Sequence, residues 1–256
     1  MKKFLLIAFL GLYLFNPTIG ISQEYEELLV LLVDEKYEKC FDKALKYTEN
    51  DKTKNDPMPY LYAAQALHAM SKDHQYSEVF PKAYGDAISF AKNYRKKDKT
   101  YAYKEDAEPF LEKLKLEILE EIENYNLGAD EKSYKKSLGL MKKVVSIDPD
   151  CRASILLRGE LEILTKNKTE GRKMVAEGLD LVKKIGEEVQ FSDMTLSQQK
   201  YLKYALMFSA QNCFEVDRAK SKEIISIGQP YFGEANEGCL IEDNDDFKKV
   251  YKKITG

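Results

Sequence analysis

Residues Ser133–Pro149 read SYKKSLGLMKKVVSIDP. A small residue, Ser137, is followed by bulky Met141 four positions on, by Val144 three later and by Pro149 five after that. Those intervals put Ser137, Met141 and Val144 on one helical face, and Tyr134 opens it. The small side chain lets a neighbouring helix approach, the bulky one fills the gap, and Asp148-Pro149 stops the helix. Such a helix has a face to bury and cannot stand alone. It commits the chain to packed helix pairs.

Outward from this stretch, apolar stripes at helical spacing predict the rest of the array. The first pair covers about 24–33, then a helix from Tyr37 whose stripe is Tyr37, Phe41, Ala44, Leu45 and Tyr47. A polar connector with Pro57 and Pro59 ends it. The second pair is 58–70 and 81–97, the latter with Ala83, Ala87, Phe90, Ala91 and Tyr94 on one side. The third starts near Asp106, with Pro109 in a first turn and Leu111, Leu114, Ile118, Ile122 and Tyr125 as its stripe. Its partner is the quoted helix, over 131–147. The fourth pair is 152–164 and 169–185, stopped by Gly186, and the fifth is 196–214 and 217–227. Asp245 caps a short last helix over 247–254.

The first helix of the second pair carries Tyr60, then Ala63-Ala64, then Leu67: a large residue, a close-packing pair, and another large residue. With Ser137, Met141, Val144 and Pro149, this spacing resembles the tetratricopeptide repeat family over about 24–185. Cys40, Ala44 and Tyr47, and Ala87, Ala91 and Tyr94, repeat the second-helix spacing without the proline. Arg158 and Glu162 depart from the pattern at apolar positions, while Gly159 fits it. Second helices begin near 37, 81, 131, 168 and 217, so the array is irregular. The resemblance implies an all-α fold, a right-handed α-solenoid of about five helix pairs with a short C-terminal capping helix. The alternative is a non-repeating helical bundle. The division expected is a signal peptide over 1–22, repeats over 23–190, and a helical continuation or cap over 191–256.

The start of the chain reads as a targeting segment. Lys2 and Lys3 precede the 12-residue apolar stretch Phe4–Phe15, which is too short to span a bilayer core of roughly 30 Å as a helix. Small residues at Gly20 and Ser22 place cleavage after Ser22. The expected address is therefore export, to a bacterial periplasm or beyond, with no integral membrane segment after cleavage. Without Lys2 and Lys3 there are 38 basic residues against 43 acidic ones, which argues against general nucleic-acid binding. An exported chain permits disulfides among Cys40, Cys151, Cys213 and Cys239. Cys213 and Cys239, 26 residues apart, are the candidate pair; the alternative is four small buried hydrophobes. Such a loop would contribute roughly 3.5 kcal/mol.

No nucleophile elbow, phosphate loop or zinc-protease motif occurs, so no catalytic residue, cofactor or metal is assigned. His68, His74 and Glu78 read as surface or packing residues in preference to a metal site, and Asp243, Asp245 and Asp246 as a helix cap in preference to a calcium loop. The cluster Tyr94, Arg95, Lys96, Lys97, Lys99, Tyr101 and Tyr103 places aromatics beside cations, a combination suited to partner side chains; the alternative, which is favoured, is a solvated inter-helix linker. On the first-helix face, Tyr60 shapes the surface while Gln65 and His68 are the candidate contacts. The functional expectation is a non-catalytic protein–protein interaction scaffold of the cell envelope. The alternative is a helical protein binding a small ligand, glycan or lipid.

Overall fold

The structure, a computed structural model, describes residues 25–234 and 236–256. The targeting segment expected over 1–22, with its cleavage after Ser22, lies outside the described residues. Eleven α-helices are described: α1 (Glu26–Val33), α2 (Tyr37–Glu49), α3 (Met58–Lys72), α4 (Ala83–Lys97), α5 (Lys104–Leu127), α6 (Glu131–Ile147), α7 (Arg152–Leu164), α8 (Lys168–Lys183), α9 (Leu196–Cys213), α10 (Arg218–Ile227) and α11 (Asp245–Thr255). Among the described residues there is no β-strand, and no helix is long and apolar enough to cross a membrane.

Side-chain caps start α6, α9 and α10. The Asp130 carboxylate accepts from the backbone N–H of Lys132 and Ser133 and caps α6. Thr195 and Gln198 form a reciprocal capping box at α9. Gly186, at φ 96°, makes the left-handed turn after α8 that side chains resist. The helix α5 begins earlier than its stripe suggested, which leaves Pro109 in its interior. That proline forgoes one backbone hydrogen bond, to the Glu105 carbonyl.

Neighbouring helices pack as pairs: α1 with α2, α3 with α4, α5 with α6, α7 with α8, α9 with α10. The residues that predicted close packing are buried. These are Ser137, Met141 and Val144 on α6, Ala63, Ala64 and Leu67 on α3, Cys40 and Ala44 on α2, and Ala87, Ala91 and Tyr94 on α4. The tightest seam lies between α7 and α8. A Cβ on Gly178 would stand 2.5 Å from the Leu156 nitrogen, and one on Gly159 2.7 Å from the Val175 nitrogen. Of the polar intruders of α7, Glu162 is buried and receives Lys142 at 3.0 Å and the Asn167 amide at 3.0 Å, while Arg158 is half-buried, its Nε 3.8 Å from Glu162.

One arrangement departs from a linear array, in which each unit touches only its neighbours. The first helix of the third pair, α5, also packs against α9, the first helix of the fifth. A single hydrophobic core runs from Leu61 on α3 to Ile254 on α11, with no break at residue 190. At the other end, α1 leaves Leu29, Val30 and Val33 exposed on its outer face.

The four cysteines are free. The expected Cys213–Cys239 bridge is not formed, and the fold forbids it. Gln199 accepts from Leu240 N at 2.7 Å and donates to the Gly238 carbonyl at 2.8 Å, which holds Cys239 at the start of α9. Cys213 is the last residue of that helix, roughly 21 Å further along its axis. A disulfide needs a Cα separation of about 7 Å or less.

Candidate functional site

The first helices α3, α5 and α9 share a polar face. On α3, His68 is buried, its Nε2 2.8 Å from Glu117 Oε2 on α5, and its ring meets Phe110 edge-on. Lys72, one turn on, reaches the same carboxylate at 2.9 Å. Burial would raise the Glu117 carboxyl, but the hydrogen bonds from His68 and Lys72 outweigh it and hold it below its usual range. Gln65 is half-buried on the same helix, and its Oε1 has no hydrogen-bond partner among the described residues. His68 thus takes a carboxylate partner, while His74 lies in a short 3₁₀ turn and is exposed.

Beyond Glu117 the face opens into a groove of about 370 Å³ between α5, α9 and α11. Leu116 and Leu119 contribute its apolar lining, beside Lys113, Glu120 and Glu123 of α5 and Lys200 and Lys203 of α9. Lys203 is engaged by Asp246 at 2.8 Å and the Asp243 carbonyl at 3.2 Å. Burial raises the Glu123 carboxyl against the pull of Lys203.

Beside this face lies a buried charge cluster. Lys115 Nζ stands 2.9 Å from Glu108, 3.2 Å from Glu112 and 2.8 Å from Asp148. Burial alone would lower this lysine, but Asp148 and Glu108 raise it well above the ordinary lysine range. A lysine so held stays protonated, the opposite of what a nucleophile or base requires. Glu112 also accepts from the Ser197 hydroxyl at 2.7 Å and from its backbone N–H, placing a carboxylate at the N-terminus of α9. Gln198 Nε2 donates to Asp148 at 3.2 Å. These bonds are what draw α5 and α9 together.

The basic and aromatic cluster at the end of α4 divides in two. Arg95 is buried. Its Nε donates to the Ile147 carbonyl at 3.0 Å, its Nη2 faces Glu108 at 3.5 Å, and its guanidinium sits 4.2 Å from the Tyr101 ring centre. Tyr94 is buried too, its hydroxyl donating to Asp98 at 2.8 Å. Tyr101, at φ 58°, donates to Asp150 at 2.9 Å; burial and then that bond push its hydroxyl up to about 12. The Tyr103 N–H donates to the Asp98 carboxylate at 3.2 Å. Arg95 and Tyr101 therefore latch this segment to the end of α6 and the turn after it, while Tyr94 and Tyr103 bond Asp98 within the α4–α5 connection. Lys96, Lys97 and Lys99 remain outside. Lys97 bonds Asn55 at 2.9 Å and lies 5.8 Å from the Tyr60 ring, a pairing across α3 and α4 that the sequence did not suggest.

On α7, Glu160 is buried at the seam with α9. Burial pushes its carboxyl up to about 7, against the pull of Ser209 and Asn212 alongside. Asp245 and Asp246 open α11, and among the described residues no group of three or more histidine, cysteine, aspartate or glutamate side chains is placed to hold a metal ion.

No family model, curated protein or solved structure matches this chain. The functional reading therefore rests on its own residues.

Proposed function

We propose that this chain is a non-catalytic protein–protein interaction scaffold of the bacterial cell envelope, exported by its N-terminal segment and built on a tetratricopeptide-like right-handed solenoid. A partner segment lies against the first helices of its pairs. One observation carries the reading: the groove between α5 and α9 is open to solvent and bears charged groups that make no hydrogen bond or ion pair among the described residues. A surface of that kind suits a polypeptide better than a sugar or lipid, because its lining is lysine, glutamate, aspartate and leucine, with no tyrosine among the described residues. The residues most suggestive of chemistry support the same view. Lys115 is sealed and protonated, and His68 is buried against Glu117.

The test is crosslinking of the tagged, processed protein in native envelopes, followed by mass spectrometry. A reproducible partner in fixed stoichiometry is expected. Recovery of a co-purifying glycan or lipid with no such protein would overturn the scaffold.

A further inference from the structure

The groove contains four charged side chains that make no hydrogen bond or ion pair among the described residues: Lys113, Glu120 and Glu123 of α5, and Lys200 of α9. The other charged groups there are already matched. Glu117 is held by His68 and Lys72, and Lys203 by Asp246. Lys113, Leu116, Glu120 and Glu123 recur every three or four residues, so they form one stripe along α5. At a rise of about 1.5 Å per residue, Lys113 lies roughly 10–15 Å from the two carboxylates. The groove therefore offers a cation, an apolar floor at Leu116 and Leu119, and an anionic end, in that order.

Resting on the scaffold reading above, we infer that the groove selects an extended polypeptide segment with an acidic residue at position i, an apolar one at i+2 and a basic one at i+4. Alternate residues of an extended chain share a face and advance about 3.3 Å each, so these three side chains span roughly 13 Å. The acidic side chain meets Lys113, the apolar one rests on the leucines, and the basic one meets Glu120 and Glu123; Lys200 lies within electrostatic reach of Glu123. Opposite charge at each end excludes segments of a single sign.

The probe is an end-blocked peptide, Ser-Glu-Ser-Leu-Ser-Lys-Ser, titrated by NMR into the processed protein beside its di-glutamate and di-lysine counterparts. The mixed peptide is expected to bind about tenfold tighter than either, with the advantage shrinking in salt. The exposed substitution Lys113→Glu is expected to switch preference to the di-lysine peptide. Equal binding of all three peptides, no binding of any, or an unswitched preference overturns the inference. If envelope crosslinking still captures a stoichiometric partner in that event, the scaffold stands and docking lies on another face.

Discussion

Lys115 and Asp148 meet as a buried ion pair, Nζ to Oδ2 at 2.8 Å, joining the middle of α5 to the turn after α6. Asp148 belongs to the Asp148-Pro149 stop that defines the end of α6. The residue that ends one helix thus also receives the cation that locks two others.

Lys115→Met is therefore expected to cost about 3–5 kcal/mol in urea unfolding, because it leaves Glu108, Glu112 and Asp148 facing one another without their shared cation. Adding Glu108→Gln and Asp148→Asn should recover part of that loss, which coupled groups do and independent ones do not. Full additivity would show that the cluster is not a unit. Glu112 contributes to the acid limb. Burial would raise it, but Lys115 and Ser197 outweigh burial and hold it low. Its contribution is present above its unfolded value and is lost as pH falls through its folded value.

Gly178→Ala is expected to destabilise by about 1–3 kcal/mol despite alanine's better helix propensity. The added Cβ meets the Leu156 backbone at 2.5 and 2.6 Å, and backbone cannot swing aside as a side-chain tip can. The control is Gly139→Ala on α6, where nothing lies within 4 Å and the change should stabilise. Thermal unfolding of both variants decides; a Gly178 variant as stable as the parent would refute the close α7–α8 seam.

The helices were legible because their signals are local. The predicted bounds of α6 and α7 coincide with those observed, since caps, stops and apolar stripes are written within a few residues of each element. The polar interior was harder to read. Lys115 lies four residues after Leu111 and three before Ile118, squarely on the buried stripe of α5. Arg95 likewise lies four after Ala91, on the buried face of α4. Helical spacing alone allows both to be internal, but Arg95 reads as a partner contact when its neighbours are taken in linear order. What no local pattern carries is the choice of partner. Glu112 and Ser197 are 85 residues apart, and their bond depends on how α5 and α9 cross.

Alkylation under denaturing, non-reducing conditions should label all four cysteines, as the 14-residue separation of Gln199 and Cys213 along α9 requires. In the folded protein Cys213 and Cys239 should react before the buried Cys40 and Cys151. Burial raises Cys40 to about 11 and Cys151 further, leaving little thiolate at neutral pH. A mass two units low, with two cysteines unlabelled, would show a bridge and a different C-terminal packing.

Glu160 makes the stability of the α7–α9 seam depend on pH. Its folded value is about 7 and its ordinary value is 4.5, because burial penalises the carboxylate more than Ser209 and Asn212 stabilise it. Below about 4.5 both folded and unfolded chains carry it neutral, and it costs nothing. As pH rises the unfolded chain releases the proton first, so the contribution to stability falls between about 4.5 and about 7 and stays low above that. With each pKa unit equivalent to about 1.4 kcal/mol, the fall amounts to roughly 2–4 kcal/mol. Glu160→Gln keeps the shape and removes the titration. It should match the parent near pH 4.5 and exceed it by roughly that amount near pH 8 in urea unfolding. A difference that stays constant across the range would mean that Glu160 titrates like an exposed carboxylate, with water or an unseen partner reaching the seam.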